Sequence, residues 1–158
     1  MNNHSFPGKG ELCQNPECVK WRKINKRNFE KYAQIAEKLF EAYLEQENPY
    51  HFFELTKHAR KRTVERAINT FQLFGEVVAN GYVVGYQPKG KVMIIKGFMK
   101  IGKGLYRSLH VPLKIEETDE GLLVRVLTVF DPSYSSHLFD EKLEQRICWC
   151  QPHDLDEL

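Results

Sequence analysis

This 158-residue chain has no apolar run of 18 residues, and its first residues, MNNHSFPGKGELCQ, lack the apolar core of a secretory signal. We therefore expect no membrane-spanning helix and a cytoplasmic location. The chain also lacks an excess of one charge, since 23 basic and 21 acidic side chains leave a net charge of +2. No internal repeat or low-complexity segment is present, so the length fits one domain with a terminal elaboration.

The charges are unevenly distributed although their sum is small. Residues 56–66 carry five cations against Glu65 alone. From Asp140 onward, six acidic residues face only two basic ones. We expect the basic segment and the acidic tail to attract each other, within the chain or between chains.

The hydrophobic pattern changes from helical to strand-like near Gly81. Residues 1–23 read as irregular; apolar residues with a period near 3.6 predict a helix over 24–46, and further helices are predicted over about 55–69 and 70–80. Four segments rich in aliphatic and aromatic residues, separated by turn signals, then predict strands: GYVVGYQ, KVMIIKGFMKI, YRSLHVPLKIEE and GLLVRVLTVF. The predicted class is α+β, with N-terminal helices packed on an antiparallel sheet of about four strands. Helix 24–46 either packs on this sheet or presents its apolar face to a partner.

Three cationic side chains are spaced by four residues in the segment ELTKHARKRTVER. His58, Arg62 and Arg66 therefore lie along one face of the predicted helix. Arginine forks match phosphate geometry, and histidine exchanges protons near neutral pH. The face suits RNA phosphates, but a solvated basic helix face is the alternative.

Later strands carry further residues suited to phosphodiester chemistry. His110 lies in YRSLHVPLKI three residues after Arg107, while Thr128 ends the most apolar strand and Tyr134 follows it. Gathered on one sheet face, such groups would accept the 2′-hydroxyl proton, protonate the leaving oxygen and stabilise the charged transition state without a metal. The alternatives are a strand histidine satisfied by its neighbours and an ordinary strand threonine.

The segment HARKRTVERAI fits the pattern H-A-x-x-R-x-x-x-R-x-I, and VVANGYVV, LHV and VLTVFDP follow in order over about residues 53–140. These motifs resemble the family of domains of unknown function numbered 4258, which is similar to the barnase/EndoU/colicin/RelE-like group of small ribonucleases and toxins. The family often has glycine where this chain has Ala67. On this basis we divide the chain into an N-terminal extension (1–50), a ribonuclease-like domain (51–147) and a cysteine-containing tail (148–158).

The resemblance implies a RelE/barnase-like fold and suggests a toxin-type ribonuclease, with RNA as substrate and an antitoxin or immunity protein as partner. The candidate catalytic residues are His58, Arg62, Arg66, His110, Thr128 and Tyr134. A non-enzymatic RNA- or protein-binding module on the same fold is the alternative.

The four cysteines form two pairs near opposite ends of the chain. Cys13 and Cys18 form C-x₄-C, and Cys148 and Cys150 form C-x-C. Four thiolates suit one structural Zn²⁺ that ties the two ends together, with His153 as a substitute ligand. Reduced free cysteines, or disulfides in a secreted protein, are the alternatives. No cofactor is expected for catalysis.

Overall fold

The computed structural model describes residues 12–158. It begins with a long helix, α1 (Pro16–Leu44), followed by strand β1 (Phe53–Leu55), helix α2 (Lys57–Glu65) and the short helix α3 (Thr70–Gln72). A π-helical turn (Leu73–Val78) continues α3. Four strands complete the sheet: β2 (Tyr82–Gln87), β3 (Val92–Gly102), β4 (Leu105–Thr118) and β5 (Gly121–Val126). The predicted α+β class is confirmed.

The sheet is mixed and open, with the strand order β1-β5-β4-β3-β2. The four predicted strands form an antiparallel meander, and β1 adds to its edge parallel to β5. One sheet face, here called the helix face, packs against α1, α2 and the π-helical turn. The opposite face, here called the tail face, is covered by the segment after residue 130 together with Cys18 at the start of α1.

Helix α1 starts earlier than its apolar period predicts. The prediction of an irregular segment over 1–23 is wrong from Pro16 onward, and its first eleven residues lie outside the described residues. Asn15 caps the helix by accepting a hydrogen bond from the Glu17 backbone N–H. Pro16 occupies the first helical position, where the backbone N–H that proline lacks would have no partner within the helix. The buried face of α1 enters the core of the helix face through Ala36, Phe40 and Tyr43.

Glycine allows the π-helical turn to approach the sheet closely. A Cβ atom on Gly97 would lie 2.2 Å from the Val77 carbonyl oxygen, so only glycine fits between β3 and this turn. The chain turns sharply after α2, where Ala67 adopts a left-handed conformation with φ of 53°. Within residues 12–158, no helix combines the length and apolar character that crossing a bilayer requires.

Candidate anion site and cysteine cluster

Helix α2 is docked onto the segment that follows β5. The Thr56 hydroxyl accepts the Ala59 N–H at 3.1 Å and donates to the Leu127 carbonyl at 3.2 Å. Ala59 and Thr63 bury the inner side of the helix. His58 and Arg62, one helical turn apart, are both half-buried.

Arg62 and Arg66 converge on one carboxylate oxygen. The Oδ2 atom of Asp154 lies 3.3 Å from Arg62 Nε and 2.9 Å from Arg66 Nη2. The buried Thr128 hydroxyl donates to the same oxygen at 3.5 Å, and Arg66 also donates to the Val129 carbonyl. Two guanidinium groups and one hydroxyl thus surround a single anionic atom, and we call Arg62, Arg66 and Thr128 the anion site.

Electrostatics keep Asp154 charged. Burial raises the pKa of its carboxyl group, but the hydrogen bond from Arg66 and the charges of Arg66 and Arg62 outweigh burial and hold that pKa below its ordinary value. Arg62 has a second partner, since its Nη1 atom lies 3.0 Å from Glu65 Oε2. The expected attraction between the basic helix and the acidic tail is therefore confirmed within one chain.

A second arginine–carboxylate pair adjoins the anion site. Arg107 Nε lies 3.2 Å from Asp131 Oδ2, and Arg107 Nη1 donates to the Arg66 carbonyl at 2.6 Å. The guanidinium of Arg107 also lies over the ring of Tyr134, 5.9 Å from its centroid. Tyr134 itself is 79% exposed, on the 3-10 helix Pro132–Leu138 outside the sheet.

His110 does not share a sheet face with Arg107, which corrects the prediction of a single catalytic face. The two residues are three positions apart in β4 and therefore point to opposite faces. His110 is buried on the tail face, where its Nε2 atom donates to the Leu143 carbonyl at 2.6 Å and its ring packs against Phe130 and Phe139. Burial lowers its pKa to about 4, so the ring is neutral at pH 7.

The structure thus brings three of the six predicted site residues together, Arg62, Arg66 and Thr128. Among residues 12–158 no hydrogen bond or ion pair joins His58, His110 or Tyr134 to Asp154. Sequence reasoning did not select Asp154 or Asp131 as members of the site. The available signal was the acidic balance of the tail, which indicated attraction to α2 but not the residue that makes contact.

The four cysteines form one compact cluster. Their Sγ atoms all lie within 4.8 Å of one another, and three pairs lie 3.7–3.9 Å apart. These distances exclude a disulfide, whose sulfur atoms lie about 2.05 Å apart. A tetrahedral Zn²⁺ with Zn–S bonds of about 2.3 Å places its ligand sulfurs roughly 3.8 Å apart, so the thiols fit such an ion.

Polar groups around the cluster support the same fit. The Trp149 backbone N–H donates to Cys18 Sγ at 3.1 Å, and the Asn15 amide lies 3.7 Å from Cys150 Sγ. Donors to sulfur stabilise thiolate ligands. His153 is not a member of the cluster, because its Nδ1 atom accepts the Leu155 N–H at 3.1 Å and its ring packs on Phe130.

The cysteine cluster and the anion site are parts of one arrangement. Cys148 and Cys150 attach the tail to the start of α1, and four residues after Cys150 the tail supplies Asp154. Comparison with protein-family models, with curated proteins and with solved structures finds no match. The functional proposals therefore rest on the residues described above.

Proposed function

We propose that this protein is an RNA-binding module of the RelE/barnase-like type and that Arg62 and Arg66 bind an RNA phosphate. The observation that carries the proposal is the convergence of both guanidinium groups and the Thr128 hydroxyl on one anionic oxygen. Guanidinium groups recognise phosphate by the same charge-assisted contacts that they make with a carboxylate. Here Arg66 donates a hydrogen bond to Asp154, and Arg62 forms an ion pair with it without a hydrogen bond from Nε. Asp154 then serves as the internal anion that occupies the site when RNA is absent.

Because Asp154 and phosphate would compete for the same arginines, substitutions of Asp154 and of an arginine should change RNA affinity in opposite directions. We expect Asp154→Asn to raise affinity for a fluorescein-labelled RNA, because the competing charge is removed. Arg62→Gln should weaken binding about tenfold and reduce the salt slope by roughly 0.7–0.9. Lys61→Gln is the matched control, because Lys61 is the next cation on α2 and its side chain is 71% exposed.

Fluorescence anisotropy across a salt series measures all of these variants. Glu157→Gln is the control for Asp154→Asn, because it removes a negative charge from the tail and keeps the contact of Asp154 with Arg62 and Arg66. Equal weakening by Lys61→Gln and Arg62→Gln would contradict a defined phosphate site and indicate a diffuse basic surface.

RNA cleavage is the second candidate, favoured by the position of His58 one helical turn before Arg62 on α2. In this reaction the 2′-oxygen attacks phosphorus, the bond from phosphorus to the 5′-oxygen breaks, and His58 accepts the 2′-hydroxyl proton. A second acid must protonate the leaving oxygen, and Tyr134 is the predicted side chain with an accessible proton. His58→Gln should abolish cleavage of total RNA, whereas His51→Gln, on an exposed histidine, should not.

The cysteine cluster is proposed to hold one structural Zn²⁺. With four protein ligands there is no open position for substrate, so the metal would supply stability and would leave catalysis to other groups. Elemental analysis should find about one zinc per chain, and Cys148→Ser should lose it. A metal-free purified protein with four titratable thiols would contradict the assignment.

Two further proposals concern the partner, which the family resemblance suggests, and the location, which the sequence composition suggests. An antitoxin or immunity protein is the expected protein partner, and the cytoplasm, whose reducing conditions favour zinc thiolates over disulfides, is the expected location. Affinity purification of the chain from its native host, with and without nuclease treatment, separates a protein partner from one bound through RNA.

A further inference from the structure

Two exposed aromatic side chains stand on the hairpin formed by β3 and β4. Phe98 is 47% exposed and Tyr106 is 61% exposed. In register, Phe98 pairs with Ser108 and Lys100 pairs with Tyr106. Directly paired residues share a sheet face, so both rings and Lys100 lie on the tail face. We call Phe98, Lys100, Lys103 and Tyr106 the hairpin surface.

The tail does not cover this part of the sheet. The same face is buried near the base of the hairpin, where Ile94, Lys96 and His110 lie under the tail. On the opposite face, Met99 is buried in the core. The aromatic rings are therefore exposed because they lie beyond the tail, on a strand pair whose opposite face packs in the core through Met99.

The hairpin is strongly basic. Residues 96–110, KGFMKIGKGLYRSLH, contain four cations and no acidic residue. Lys96 Nζ lies 5.6 Å from the centroid of the Phe98 ring, and its charge is partly balanced by Glu144 at 3.9 Å. Glu76 contacts the hairpin through the Lys100 backbone N–H and not through the ammonium group. Lys100 and Lys103 remain exposed beside the rings.

Exposed aromatic rings interleaved with cations match the chemistry of unpaired nucleotides. A base stacks on an aromatic face and a neighbouring ammonium group contacts the phosphate. Duplex bases have no free faces, so such platforms select single strands. The next residue, Arg107, points to the opposite face of β4, where it donates to the Arg66 carbonyl at 2.6 Å.

We propose that the hairpin surface binds single-stranded RNA, with one base stacked on Phe98, a second on Tyr106, and phosphates contacted by Lys100 and Lys103. This assignment rests on the proposed RNA-binding function and adds the class of ligand, unpaired RNA, and the place where its bases lie. It requires no metal and no catalytic step.

The test compares an unstructured 12-nucleotide RNA with a blunt duplex of the same sequence, both labelled with fluorescein. Phe98→Ala and Tyr106→Ala should each weaken single-strand binding about tenfold and leave the salt slope unchanged, since no cation is lost. Tyr106→Phe should bind as the unmodified protein does, because the ring is kept. Phe71→Ala is the matched control, an exposed aromatic on α3 that should have no effect.

The outcomes separate this inference from the proposed function. Unchanged single-strand affinity in Phe98→Ala and Tyr106→Ala, with weakening by Arg62→Gln, overturns the stacking inference and retains the phosphate site. Equal affinity of the protein for duplex and single strand also overturns it. Absence of RNA binding at 50 mM salt overturns both. Circular dichroism spectra confirm that each variant is folded.

Discussion

Arg66 and Asp154 lie 88 residues apart in the chain, yet their side chains meet at 2.9 Å. The contact joins the C-terminal end of α2 to the 3-10 helix Asp154–Glu157. It places a carboxylate where the sequence suggested that a phosphate would bind. The acidic tail therefore occupies, within the same chain, the position proposed for the phosphate.

Loss of this carboxylate should have opposite effects on stability and on binding. Both side chains are about a quarter exposed or less, so solvent screens the pair and Asp154→Asn should lower the free energy of unfolding by only about 1 kcal/mol. The same substitution should raise RNA affinity. Urea unfolding and anisotropy on one preparation measure both quantities, and a purely structural ion pair would show the loss of stability without the gain in affinity.

Removal of the proposed zinc ion should loosen both ends of the described chain. A cross-link between residues near 13–18 and 148–150 closes a loop of more than 100 residues, and such loops are worth several kcal/mol. We expect Cys148→Ser to lower Tm by about 10 °C. Chelation of the unmodified protein should give a similar shift that added Zn²⁺ reverses. A Tm that neither treatment changes would show that the thiols pack without a metal.

Acid should destabilise the protein through His110. Burial, opposed by the hydrogen bond to Leu143, lowers the pKa of His110 to about 4 in the folded chain, against about 6.5 when unfolded. The unfolded state binds more protons between these values, so the contribution to stability is complete above about pH 6.5 and is lost as pH falls toward 4. Between pH 7 and pH 5 the loss should be about 2 kcal/mol.

Urea unfolding of the unmodified protein and of His110→Gln at both pH values isolates this contribution. The variant should show a smaller difference between pH 7 and pH 5, while His51→Gln, with an exposed ring, should behave as the unmodified protein does. Burial also lowers the pKa of His153 to about 4, so part of the pH dependence should remain in His110→Gln. Equal pH dependence in the variant and the unmodified protein would mean that His110 makes no contribution.

Glycine at position 67 should stabilise the chain. Ala67 ends α2 with φ of 53°, and the Ile68 N–H reaches back to the Thr63 carbonyl at 2.8 Å, as in a Schellman motif. A Cβ atom in this conformation costs about 1 kcal/mol, so Ala67→Gly should gain about 0.5–1 kcal/mol in urea unfolding. Ala79→Gly is the control, since Ala79 has helical φ of −61° and should lose stability.

The helices and main strands of this chain could be predicted because each follows from a local signal. Hydrophobic period and turn residues predicted α1 from residue 24 onward and all four strands of the meander. The first two turns of α1 were missed because they have no apolar stripe, although Asn15-Pro16 is a recognisable helix start. Strand β1 was missed because three residues carry no usable pattern, and its pairing with β5 is non-local.

The candidate site was predicted in part, most directly where its residues lie close together in the sequence. Arg62 and Arg66 share α2 and were found together. The separation of His110 from Arg107 follows from strand alternation and could have been predicted by counting positions. The partner of the arginines depends on the path of the tail. The cysteine cluster fixes that path through a long-range contact with the start of α1, and Arg146 fixes it through a contact with Asp156 inside the tail.

The cysteine cluster also sets an order of events during synthesis. Cys13 and Cys18 leave the ribosome early, but their partners follow only after 130 or more further residues. The core of the helix face lies between Ala36 and Val129 and contains none of the four cysteines, so that core does not depend on the cluster. The tail that carries Asp154 can be fixed by the cluster only after Cys148 and Cys150 have been made, so closure of the anion site is a late step of folding.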